Sequence, residues 1–128
     1  MLPAQADYVG LEDFSYGIDL DNIIRAKQIN MHRVSNDEQA FGMLLKNRVS
    51  IYPQEIAVGY YQLRQYFSEQ DMKSIGHIEQ PFMRKNSHII LSKADKNNAD
   101  ILKMFDEALL RMKQSGRYEQ LLSKVIKF

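Results

Sequence analysis

Three histidines, a scatter of serines and two polar turns are the places where this 128-residue chain carries groups able to do chemistry. His32, His77 and His88 fall in separate stretches of strand character, and no two share the short spacing of metal ligands. They read as surface or internally satisfied residues. The chain has no cysteine, which removes disulfides, thiolate metal sites and thiol nucleophiles together. It holds no G-x-S-x-G elbow, Walker loop or dinucleotide fingerprint, and no serine can be assigned to a catalytic triad. No metal, no cofactor and no enzymatic acid–base pair is therefore expected.

Two turns stand above that background. The first is Asp13-Phe14-Ser15-Tyr16-Gly17, between a strand and a helix. Free backbone N–H groups at the helix start, with the Ser15 hydroxyl, could hold a carboxylate or other anion; alternatively this is a solvated helix start with Phe14 or Tyr16 packed down. The second is Tyr52-Pro53-Gln54-Glu55. Glu55 either favours its own helix N-terminus through the macrodipole or faces a crevice and pairs with a ligand cation. An anion site beside a carboxylate would complement a zwitterion.

The elements that must position these turns follow from periodicity. Asp7 to Leu11 has short-strand character, and Leu20, Ile23, Ile24 and Lys27 give a helix one apolar face. Ile29 to Val34 alternates as a half-buried strand. Ser35 and Glu38 form a capping box for a helix that buries Ala40, Phe41, Met43 and Leu44 and ends near Asn47. Val49 to Tyr52 is a third strand, and Pro53 suits the first turn of a helix running to about Phe67. Three strand–helix units in succession predict a parallel sheet flanked by helices, with both turns at its carboxyl edge, where ligands bind in open α/β folds.

Beyond them, Ser68 to Lys73 reads as a loop, and Ile75 to Glu79 and His88 to Ser92 as strands. Asn97 caps a helix with Ile101, Leu102, Met104, Phe105, Ala108, Leu109 and Met112 at helical spacing. Gly116 ends it, and Tyr118, Leu121, Leu122 and Val125 mark a last helix.

Composition bounds the class. With 45% hydrophobic and 26% charged residues the chain reads as one soluble α/β domain with a real core. A net charge of +1, with Lys and Arg dispersed, gives no case for nucleic acid or a membrane surface. No segment approaches the roughly 20 apolar residues of a membrane span. The N-terminus lacks the basic start and apolar run of a secretory signal, so on residues alone a cytoplasmic location is open.

Gly10 through Gly17, taken with Arg48-Val49-Ser50-Ile51-Tyr52-Pro53-Gln54-Glu55 and Val58-Gly59-Tyr60-Tyr61, resembles the family 3 extracellular solute-binding proteins. These are the polar amino-acid receptors of ABC importers. Ile89 to Ala94, then Phe105, Leu109 and Ser115-Gly116-Arg117-Tyr118, look like that family's closing segment. The resemblance covers nearly the whole chain through the order and spacing of its motifs. It implies a periplasmic-binding-protein-like lobe, a small polar or amino-acid ligand captured by closure of two lobes, and docking on an ABC permease. It also implies a periplasmic or extracellular location. Phe14, Ser15, Tyr16 and Gly17 take the place of the second lobe's contact with the ligand carboxylate. Glu55 takes that of the acidic partner of the α-amino group, with Gln54 beside it.

The departure from the family is in length. Its members are roughly twice as long, and their first lobe, with the arginine that clamps the carboxylate, has no counterpart here. The resemblance divides this chain into a second-lobe part, residues 1–85, and a C-terminal return, residues 86–128. The last helices would then need another partner, in a homo-oligomer or a domain-swapped dimer. An interaction or sensor module that binds no small molecule is the alternative reading. A few relatives of the fold, such as cyclohexadienyl dehydratase, are catalytic, but no acid–base pair of that kind is present.

Overall fold

The computed structural model describes residues 5–126 and falls into two compact units, Met1–Phe82 and Met83–Phe128. It is a mixed α/β structure with a small parallel sheet and six helices among the described residues.

In the first unit, β1 (Asp7–Leu11) pairs in parallel with β2 (Asn30–Val34), from Asp7 opposite Asn30 to Leu11 opposite Val34. The helix α1 (Ile18–Arg25) joins them, and α2 (Asp37–Leu45) follows. Successive β1 side chains point to opposite faces, and both faces are covered. Tyr8 packs with Tyr16, Leu20 and Ile29 on one side. Val9 packs with Ala40 and Val49 on the other. Tyr8, Val9 and Leu20 are all under 2% exposed. Burying such side chains contributes roughly 1.5–3 kcal/mol each, so β1 is the axis of this unit.

The third expected strand, Val49 to Tyr52, is reduced to one bridge between Ile51 and Tyr8. The Ile51 amide donates to the Asp7 carbonyl at 3.2 Å and the Val9 amide donates to the Ile51 carbonyl at 2.9 Å. The next rung would need an N–H from residue 53. Pro53 has none, so the ladder stops. Pro53 is buried in the extended approach to α3 (Ile56–Tyr66), so it lies before the helix and does not open its first turn.

Other local expectations shift for equally specific reasons. Asn36, and not Ser35, caps α2: its side chain accepts from the Gln39 amide at 2.9 Å, and Gln39 Oε1 accepts from the Ser35 amide at 3.1 Å. The helix ends at Leu45, near the expected Asn47, whose φ of 53° is left-handed. Ser68 to Lys73 is not a loop throughout. It holds α4 (Glu69–Met72), closed by a reciprocal Ser68–Asp71 capping box.

The residues 75–79 and 88–92 form no strand. A strand needs a partner for its backbone groups, and Ile90 lies 91% exposed with none alongside. In the second unit α5 (Asn98–Gln114) and α6 (Arg117–Ile126) form a helical hairpin that turns at Gly116, with φ of 75°. Neither helix has a buried residue. No described helix is long and apolar enough to cross a membrane.

Candidate functional site

Because β1, β2 and the Ile51 bridge all run parallel, the segments that leave them emerge at one edge. These are residues 12–17, 35–36 and 52–55. The structure thus places Phe14, Ser15, Tyr16, Gly17, Gln54 and Glu55 on the carboxyl edge of one small sheet.

Tyr16 anchors the first segment. It is 8% exposed, lies across β1 at Gly10, and its hydroxyl accepts from the Leu11 amide at 2.8 Å. A Cβ on Gly10 would sit 2.9 Å from Tyr16 Cε2, so this seat exists because residue 10 is glycine. Phe14 stays half exposed, its ring centroid 5.0 Å from that of Tyr16. The Ser15 hydroxyl donates to one Asp21 oxygen, and the Tyr16 amide donates to the other at 3.0 Å. Two of the donors expected to hold a ligand's anion therefore hold a carboxylate of α1. Those bonds keep the Asp21 carboxyl below its usual range. Gly17, with φ of 96°, caps α1 without a side chain to offer.

Arg33 joins this turn from β2. Its Nη1 donates to the Leu11 carbonyl at 2.7 Å and the Phe14 carbonyl at 3.2 Å, and the guanidinium lies 5.8 Å from the Tyr16 ring centroid. Between Arg33, the turn residues Asp13, Phe14 and Ser15, and Asp21, Ile24 and Arg25 of α1 lies an open depression of about 240 Å³.

The second segment is built around Asp37, in the first turn of α2. Its Oδ1 accepts from the Tyr52 hydroxyl at 2.6 Å and from Gln54 Nε2 at 3.0 Å. Tyr52 also interacts with the Tyr16 hydroxyl, which links the two segments. Burial, followed by the bond to Asp37, pushes the Tyr52 phenol far above its ordinary range. Tyr16 is raised too, chiefly by burial. Both phenols stay neutral and act as fixed hydrogen-bonding posts. Glu55 is the cap of α3, accepting from the Val58 amide at 2.8 Å, and remains exposed at the edge. Gln54 packs against Gly59, where a Cβ would come within 2.9 Å of its Cγ.

Sequence reasoning passed over Arg33 and Asp37. The available signal was position. Arg33 is the penultimate residue of β2 and Asp37 follows its carboxyl end, so both belong to the edge where ligands bind.

The histidines lie elsewhere. His32 stands 3.7 Å from Asp7 at the other end of the strands, His77 Nδ1 shares a hydrogen bond with the Tyr60 hydroxyl, and His88 is exposed. Among the described residues no group of three or more His, Cys, Asp or Glu is placed to hold a metal ion.

Comparison of the chain with protein-family models, with curated proteins and with solved structures gives no match.

Proposed function

We propose that the first unit is a solute-binding-protein-like lobe, related to the amino-acid receptors of ABC importers, that holds a small polar or amino-acid ligand at its carboxyl edge. The observation that carries this reading is an open depression bordered by Arg25 and Arg33 and by Asp13 and Asp21, at the edge that Phe14–Gly17 share with Gln54–Glu55 on a separate segment. Mixed charge of that kind complements a zwitterion, and the parallel strands put it where α/β sheets bind ligands. Asp21 already occupies the Ser15 hydroxyl and the Tyr16 amide, so a ligand's anion uses Arg33 and Arg25 or displaces Asp21. A second lobe closing over the edge would exclude water and strengthen every charged contact; an open face alone binds weakly. In an importer the loaded lobes would dock on an ABC permease outside the cytoplasm.

The test is the thermal midpoint of the chain against a panel of amino acids at millimolar concentration. A ligand that binds only the folded state adds RT ln(1 + [L]/Kd) of stability, so weak sites register. A reproducible rise with one class of amino acid supports the reading, and a flat panel contradicts it for this chain.

A second reading, an interaction module that self-associates and binds no small molecule, is favoured by α5 and α6. Ile101, Leu102, Phe105, Leu121 and Leu122 share the apolar sides of this hairpin and stay exposed. Concentration-dependent association by sedimentation, unchanged by any amino acid, would favour it.

A further inference from the structure

We infer that the hairpin of α5 and α6 is a dimerisation element: a second copy of this chain covers its apolar side in an antiparallel four-helix bundle, about a two-fold axis at the middle of α5. This rests on the self-association in the second reading above, and it names the surface, the alignment and the charge pairs.

The second unit leaves too much apolar surface bare to be complete by itself. None of its described residues is buried. Four apolar residues of α5 between Ile101 and Phe105, and four of α6 between Tyr118 and Val125, keep 36–68% of their surface exposed. At about 200 Å² for a fully exposed side chain of this size, they present roughly 700 Å². A stable interface takes about 800 Å² from each partner, so a second hairpin is an occupant of the right extent. A unit as short as Met83–Phe128 leans on disulfides, a structural metal or oligomerisation, and the chain has no cysteine.

The order of residues along α5 makes the occupant another α5, reversed. Ile101, Phe105, Ala108 and Met112 recur at intervals of four, three and four, the seam of a paired helix. That spacing reads the same in both directions. Run antiparallel, it sets Phe105 of each copy against Ala108 of the other and Ile101 against Met112, so a large side chain meets a small one at the centre. Run parallel, ring would meet ring and methyl would meet methyl, a clash beside a void. Asp100, Met104, Glu107 and Arg111 repeat the spacing one position earlier, along one flank of the seam. Asp100 lies in the first turn of α5 and Arg111 in the last, and both are exposed. Reversal brings Asp100 of each copy beside Arg111 of the other, at both ends of the seam. Within one helix the two stand about 16 Å apart, at about 1.5 Å per residue, so they cannot pair internally.

The experiment is sedimentation of the full chain at low salt, from micromolar to millimolar concentration, for the wild type, Asp100→Arg, Arg111→Asp and an equal mixture of the two variants. The wild type is expected to pass from 15.0 kDa to twice that mass. Each variant alone sets like charges at both ends of the seam and should dissociate at least about tenfold more readily. Mixed, the variants restore an opposite pair at each end, and association should return to within about twofold of wild type. Each variant folds by itself or not at all, so recovery on mixing reads the contact between copies. Wild-type association that both variants share, or a mixture no tighter than its components, would overturn the inference and leave self-association on another surface. A wild type that stays at 15.0 kDa throughout would remove both.

Discussion

Replacing Gly10 by alanine tests whether Tyr16 is wedged across β1 as the geometry requires. The new Cβ would lie 2.9 Å from Tyr16 Cε2, 3.0 Å from Met31 Sδ and 3.1 Å from the Tyr16 hydroxyl oxygen, against ordinary contacts of 3.4–4 Å. Met31 is flexible and can yield. Tyr16 cannot, because its hydroxyl is tied to the Leu11 amide and its ring is buried. Overpacking of this kind costs about 1–3 kcal/mol, and alanine recovers about 0.5–1 kcal/mol relative to glycine in a strand. The net expectation is a loss of about 0.5–2 kcal/mol. Urea unfolding followed by circular dichroism reads the loss, and hydrogen exchange at the Leu11 amide reads the broken bond. In a Tyr16→Ala background the same substitution should be neutral or stabilising, since the clash is gone. A Gly10→Ala chain as stable as wild type, with Leu11 still protected, would refute the wedge.

Gly59→Ala should be milder. Inside α3 the change favours the helix by up to about 1 kcal/mol, and the close atom is Gln54 Cγ, on a flexible side chain that moves aside by giving up its bond to Asp37. The two effects offset, so stability should change by less than about 1 kcal/mol, while the Gln54 side-chain amide resonances show its release from Asp37. Tyr52→Phe removes a donor to an ionised acceptor at 2.6 Å and should cost about 1–2 kcal/mol by urea midpoint with an unchanged slope. Asp21, depressed in the fold by Ser15 and then Tyr16, contributes stability above its ordinary value of 3.8 that is lost as pH falls through its folded pKa. Ser15→Ala should move the Asp21 carboxyl titration, read by carbon-detected NMR, back toward that value.

The first half of the fold was legible because each element carries its own signal. The short-strand character of β1, the strand at β2, the apolar face of α1 and the left-handed Asn47 are local properties, and all four are seen. What failed depended on partners. Val49 to Tyr52 reads as a strand until the rung at Pro53 is asked for an N–H it lacks. Ile75 to Glu79 and His88 to Ser92 have strand composition and no neighbour to pair with. The choice between Ser35 and Asn36 turned on which residue Gln39 reaches, one position that composition does not distinguish.

At the candidate site the same division holds. The two turns were visible as strand-to-helix junctions, but their chemistry is set across the sheet. Arg33 stands opposite Gly10 in the register, where the missing side chain lets Tyr16 lie beneath its guanidinium. Asp37 gathers Tyr52 and Gln54 from a segment fifteen or more positions away. Neither relation is a spacing along the chain. Glu55 illustrates the reverse case: the helix-start reading offered by the sequence describes it, since its carboxylate caps α3.

The most direct test of ligand binding at the carboxyl edge is a two-dimensional amide NMR titration of the 128-residue chain with neutral amino acids. The account predicts saturable shifts grouped at residues 12–17, 33 and 52–55, with α5 and α6 unmoved. No saturable shift at tens of millimolar ligand, or shifts confined to residues outside that edge, would contradict it.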